Sequence, residues 1–199
     1  TDTLPFGDNG TELGQFQSPS GLAADKKGFI YVTDTGNHRI QVLKSESNPI
    51  GFSTVVSLST LTDTGSFSLP FGIAAYDPGT VTPTVLYVSD TAYRHIVKLS
   101  FDGTQFHFLG TIGGTDKFAS IAHIDLDDDG YLWVTDSTRN QVHRINSNDL
   151  TDWRIYGDTQ DVAWNANCVV NSHTTEGKTV IYLCSQNLGR ITSFNSITE

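Results

Sequence analysis

The sequence predicts an all-β fold: a β-propeller of four blades, or part of a larger one. Three observations predict it. Short runs rich in β-branched residues are bounded by Gly, Asp and Asn, the pattern of antiparallel strands joined by tight turns. One passage of sequence, centred on Tyr31-Val-Thr-Asp34, returns as Tyr87-Val-Ser-Asp90, as Trp133-Val-Thr-Asp136 and, weakened, as Tyr182-Leu-Cys-Ser185. Up to four strand-like runs make each unit, and the units recur at spacings of 56, 46 and 49 residues, as propeller blades do.

The first unit is the template. Its runs Gly21–Ala24, Phe29–Val32 and Ile40–Leu43 are separated by Asp25-Lys-Lys-Gly28 and by Asp34-Thr-Gly-Asn-His-Arg39. Six residues beyond the end of each second strand comes a β-branched residue: Ile40, Ile96, Val142 and Ile191. The first strand returns at 70–75, 122–127 and 167–170, and a fourth run follows at 53–58, 106–112 and 153–156. The predicted blades are therefore 16–60, 67–113, 118–157 and 162–199, within one domain spanning 1–199. The last unit stops after its third run, so Thr3–Phe6 is expected to supply its outer strand, with 1–8 joined to the last blade. Closure of this kind hides the edge that a terminal blade otherwise exposes.

Charge narrows the function. The chain has 22 acidic and 12 basic residues, a net charge of -10 over 199 residues. Binding phosphate backbones needs a basic face, so nucleic acid is excluded as a partner. No apolar run approaches 18 residues, so no membrane insertion by a helix is expected. Methionine is missing even from position 1, which points to a removed leader or to a segment of something longer.

Ser18-Pro-Ser-Gly-Leu-Ala-Ala-Asp25 followed by Ile30-Tyr-Val-Thr-Asp-Thr-Gly-Asn-His-Arg-Ile-Gln-Val42 resembles the NHL repeat family. The second and third units match moderately and the fourth poorly. The resemblance implies a propeller, most often of six blades. Four are counted here, which means a small ring or a piece of a larger or assembled one, since six blades need roughly 270 residues.

Asp34, Asp90 and Asp136 recur at the end of the second strand. Three carboxylates on one face would make a site, but repetition in every blade points to a fold role, each accepting backbone N–H bonds of its own following turn. His38 and Arg39 follow the same logic. Asp125-x-Asp127-x-Asp129-Gly130 has the alternating oxygens and sharp glycine turn of a calcium loop, and looks like the hairpin loops of integrin-type propellers. Calcium is accordingly the one cofactor considered. Trp133 stands where a further ligand is usual, and the same residues also read as an acidic turn like Asp25–Gly28. Asp125 falls in the slot of Ala23, facing the next blade.

The six histidines show no short ligand spacing, so zinc would require convergence at the axis, where His123 occupies the Gly21 slot. Amidating lyases and sugar lactonases with related propellers hold metal there, but these strands offer chiefly Gly21, Ala23, Gly72 and Ala74. Cys168 matches Gly21 and Cys184 matches Thr33. A hairpin flanked by Ser172 and Val180 places the two cysteines opposite each other, as a disulfide or as two buried thiols. Asn9-Gly10-Thr11 is a glycosylation sequon. Tyr93, Trp153 and Trp164 are candidate exposed anchors for a partner.

These residues point to a non-enzymatic, extracellular module that binds protein or glycan, or assembles with itself. Divergent loops at 77–84 and 173–178 would form its rim. A subunit of an extracellular filament or tandem array is the second reading, and a metal-dependent hydrolase or lyase using the channel is the third.

Overall fold

The computed structural model describes residues 6–47, 50–61, 65–77, 79, 83–157, 166–173, 179–185 and 189–195. The fold is an all-β, four-bladed propeller arrangement. The chain divides into two compact units, 1–111 and 112–199.

The first unit holds two four-stranded sheets. One comprises β1 (Pro19–Ala24), β2 (Phe29–Asp34), β3 (Arg39–Ser47) and β4 (Ile50–Leu58), paired in that order. A two-stranded ribbon follows, β5 (Thr60–Leu61) with β6 (Gly65–Ser66), which the sequence did not suggest. The second sheet comprises β7 (Pro70–Tyr76), β8 (Thr84–Asp90), β9 (His95–Phe101) and β10 (Phe106–Gly113).

The other unit holds β11 (Ile121–Leu126), β12 (Tyr131–Asp136), β13 (Gln141–Asn146) and β14 (Arg154–Tyr156) in one sheet. Its second sheet is three-stranded: β15 (Ala166–His173), β16 (Thr179–Ser185) and β17 (Arg190–Asn195).

Period-two alternation decides what each sheet buries. On the first sheet Tyr31, Ile40 and Val42 point at the second, where Ile73, Leu86, Val88, Leu99 and Phe101 meet them in one apolar cluster. Phe101 receives both Phe29 and Tyr31 edge-on, with ring centroids at 5.3 and 5.9 Å. In the other unit Trp133 and Val142 of one sheet meet Val169, Ile181 and Leu183 of the next. The rule is the same in both units: the forward face of one sheet covers the rear face of its successor.

The turn after the second strand is also repeated. His38, Arg94, Asn140 and Gly189, each four residues past the strand end, adopt left-handed backbone with φ of 55, 57, 57 and 59°. Three of the four are not glycine, at about 1–2 kcal/mol of strain each. The geometry belongs to the blade, whichever residue occupies the position.

For the closing strand, Thr3–Pro5 lie outside the described residues. Phe6 rests edge-on against Phe52 of β4, with centroids at 5.7 Å. Much of the 77–84 loop and nearly all of 173–178 also lie outside.

Candidate functional site

The repeated aspartates are built into the fold through donors other than those expected. In each hairpin the end of the second strand pairs with the start of the first: Pro19 with Asp34, Pro70 with Asp90, Ile121 with Asp136. The carboxylate therefore reaches the chain arriving at the blade. Asp34 accepts from the Gln17 amide at 2.7 Å, Asp90 from Ser68 and Leu69 at 2.7 and 3.0 Å, Asp136 from Ala119 and Ser120 at 2.7 and 3.1 Å. Asp136 also takes a backbone donor from the following turn, Arg139 at 3.1 Å. Asp34 adds Asn37, Arg39 and Gln41 side chains. Arg39 then reaches the carbonyls of Thr11, Glu12 and Gln15, fastening the 8–17 loop to the first sheet.

A second repeated device lies at the bulge in each first hairpin. The amides of Gly21, Gly72 and His123 donate to the hydroxyls of Thr33, Ser89 and Thr135 at 2.7, 2.7 and 2.9 Å. Thr33 in turn donates to the Phe71 carbonyl of the next sheet at 2.6 Å. The approach is so close that a methyl on Gly21 would sit 2.5 Å from that carbonyl. At the same positions of the fourth sheet stand Cys168 and Cys184, joined by a disulfide.

The acidic hairpin divides its carboxylates among separate tasks. Asp127 is buried; it accepts from the Tyr131 amide at 2.8 Å and from the Trp133 indole at 2.7 Å. Asp25 does the same in the first sheet with Phe29 and the Tyr31 hydroxyl, and adds Thr84 of the second sheet at 2.8 Å. Asp125 faces the fourth sheet, accepting from the Asn171 amide and side chain at 2.8 and 2.7 Å. Asp129 is exposed. Asp125, Asp127 and Asp129 are thus not brought together: β11 ends at Leu126, and the tight turn closed by the Gly130 amide on the Asp127 carbonyl breaks the alternation that would have put all three on one face. Among the described residues no group of three His, Cys, Asp or Glu is placed to hold a metal ion.

Burial sets the electrostatics of this edge. It raises the Asp125 carboxyl, against the Asn171 bonds, and lowers His123, against the pull of Asp125. His123 keeps a buried Nδ1 without a hydrogen-bond partner. Burial likewise pushes His143 down to about 4.

The expected anchors are placed differently. Tyr93 is exposed and lies over His95, centroids 5.5 Å apart. Trp153 is half-buried: its indole donates to His143 Nδ1 at 2.9 Å and its ring lies on Phe118, so packing takes it out of the solvent. Trp164 lies outside the described residues. Asn9 is exposed in the loop that Arg39 fastens.

An apolar hollow in the first unit was missed from sequence. On the rear face of the first sheet is an apolar hollow of about 370 Å³, lined by Leu22, Ile30, Val32, Leu43 and Phe52 and walled by Phe6 and Phe16. The signal was available, since Leu22 occupies the slot of Ile73 and Ile124 in the later units. Alternation in one sheet cannot say whether that face is covered.

Sheets of three or four antiparallel strands, the first of each unit covering the rear of the second, define a repeat-built protein of the β-propeller class. More narrowly, residues 16–43 match the family model of the NHL repeat. Two relatives match over 41 residues, 21% of this chain: the B-box type zinc finger protein ncl-1 of Caenorhabditis elegans at 54% identity, and Protein brain tumor of Drosophila melanogaster at 49%. That stretch is 5% and 4% of their lengths, a small part of either protein. Among solved structures, a catalytically inactive virginiamycin B lyase from Staphylococcus aureus, bound to quinupristin, aligns with TM-score 0.56 and 17% identity over 91% of this chain and 56% of its own. A Lactobacillus plantarum protein aligns with TM-score 0.58 and 14% identity over 92% and 57%. At such identities the likeness is one of fold. No helix among the described residues is long and apolar enough to cross a membrane.

Proposed function

We propose that this chain is a non-enzymatic binding and assembly module whose rear face on the first sheet, around Leu22, takes an apolar segment of a protein partner. The hollow of about 370 Å³ behind the NHL repeat carries this reading. It has the size and apolar lining of a site that buries one or two large side chains. The chain's net charge of -10 disfavours anionic partners and favours a protein segment with basic flanks. An extracellular setting belongs to the same proposal and is supported by the Cys168–Cys184 bond and the exposed sequon at Asn9.

The test is a displayed-peptide selection against the wild-type chain, with the Leu22→Lys variant as counter-target. Recovered peptides should carry an aromatic or long aliphatic anchor and lose at least tenfold in affinity on the variant. Peptides that bind both proteins equally, or none at all, would reject the hollow as the site.

A further inference from the structure

The chain has a single Asn-x-Ser/Thr, at Asn9-Gly10-Thr11, and the loop that holds it is built from main-chain bonds. The Gly10 amide donates to the Phe16 carbonyl at 3.2 Å, and the Phe16 amide to the Asp8 carbonyl at 2.9 Å. From the first sheet, Asn37 Nδ2 donates to the Gly10 carbonyl at 2.8 Å and Arg39 to those of Thr11, Glu12 and Gln15. Gly10 has a packing reason of its own, because a methyl there would sit 2.0 Å from the Gln15 Oε1.

Asn9 and Thr11 have no such reason. Both are exposed, and among the described residues neither the Asn9 carboxamide nor the Thr11 hydroxyl makes a hydrogen bond. Short polar side chains in loops usually bond nearby backbone. Asp102, Asn146 and Asp149 do so here, each accepting from the amide two residues on. At Asn9-Gly10-Thr11 the carbonyls of Gly10 and Thr11 are tied down while the carboxamide and hydroxyl are left to solvent. The fold uses the backbone of this tripeptide and neither of its polar side chains.

We infer that Asn9 is an acceptor for N-linked oligosaccharide. This rests on the extracellular setting proposed above and goes beyond it to a covalent site. In the transfer, Asn9 Nδ2 attacks the anomeric carbon of a sugar carried on a lipid pyrophosphate. The bond from that carbon to the phosphate oxygen breaks as the carbon–nitrogen bond forms, Nδ2 gives up one proton, and the lipid pyrophosphate leaves. Nothing is oxidised or reduced. Thr11 supplies the hydroxyl that the acceptor sequence requires. The folded loop tolerates the product, since a bulky hydrophilic chain on Asn9 leaves from an exposed position and displaces no hydrogen bond.

The test sends the full chain through the secretory pathway of cultured insect cells behind a cleavable leader. By intact mass the exported protein should exceed its polypeptide by whole sugar units. Peptide-N-glycosidase digestion in heavy-oxygen water should remove them and leave labelled aspartate at position 9. Asn9→Gln and Thr11→Ala should each abolish the added mass, and Thr11→Ser should keep it. After deglycosylation all three variants should melt with the wild type, and a lower melting temperature for Asn9→Gln would count against the inference by giving that side chain a structural role. An exported chain with its disulfide formed and Asn9 bare overturns the inference, as does added mass that survives Asn9→Gln. A chain retained in the cell, or exported with Cys168 and Cys184 as free thiols, overturns the extracellular reading, and the inference falls with it.

Discussion

Cys168 on β15 and Cys184 on β16 stand directly opposite one another, Cα atoms 5.1 Å apart, at the positions that Gly21 and Thr33 occupy in the first sheet. Three blades tie that point with an amide-to-hydroxyl hydrogen bond, and the fourth ties it covalently. The fourth unit diverges most from the repeat and its sheet has three described strands, so it has fewer ladder bonds to hold its register.

The cross-link should therefore matter most to this sheet. A bridge between residues 16 apart is worth about 3 kcal/mol by the loop-entropy relation. The Cys168→Ala, Cys184→Ala double variant is expected to lose that much in urea denaturation. Cys168→Ala with Cys184→Thr recreates the bond of the other sheets and should recover about 1 kcal/mol.

The left-handed turns give a stabilising prediction. Arg94 is exposed with φ of 57°, where Gly189 is the natural occupant of the equivalent turn. Arg94→Gly relieves about 1 kcal/mol of backbone strain. It loses roughly half of that to the greater freedom of glycine in the unfolded chain. A rise in melting temperature of about 1–2 °C is expected by calorimetry.

Acid should weaken the third sheet through His143. Its Nδ1 accepts the Trp153 indole proton, its Nε2 is buried without a partner, and burial holds its pKa near 4. Asp136 pulls that value up and Arg139 pushes it down. Because the folded value lies below the ordinary 6.5, the unfolded chain binds the proton first. Stability from this group is complete above about pH 6.5 and falls as the pH drops towards 4. His143→Gln keeps an acceptor for Trp153 and does not titrate, so its denaturation midpoint should vary less with pH over that window.

The acidic hairpin separates two roles. Asp127→Asn should cost about 1–2 kcal/mol, because the carboxylate oxygens serve the Tyr131 amide and the Trp133 indole in a buried site. Asp129→Asn, on an exposed side chain, should cost nothing measurable. If the loop held calcium, both variants would instead erase a calcium-dependent rise in melting temperature, and EDTA would lower that of the wild type.

Asp90 offers a direct measure of the repeated aspartate. Asp90→Ala leaves the Ser68 and Leu69 amides without their acceptor and is expected to cost about 2–3 kcal/mol. Asp90→Asn keeps one acceptor oxygen and should cost about half as much.

Strand order, hairpin positions and the opposition of Cys168 to Cys184 were all legible in the sequence. They are local consequences of period-two alternation and turn chemistry, and four repetitions average out the noise of any one unit. The aspartates were legible as structural but not their donors, because the Gln17, Ser68 and Ala119 amides come from chain that precedes the blade. Trp153 read as an anchor until His143 was seen to hold its indole.

What the sequence determined by itself is the blade: which residues pair, which turn, and which side chains share a face. Only the tertiary structure decided which faces are covered. Leu22 and Ile73 are the same kind of residue in the same slot, and so are Ile191 and Ile40. Whether a side chain is core or contact surface depends on the sheet placed against it, and a strand carries no local record of its neighbour.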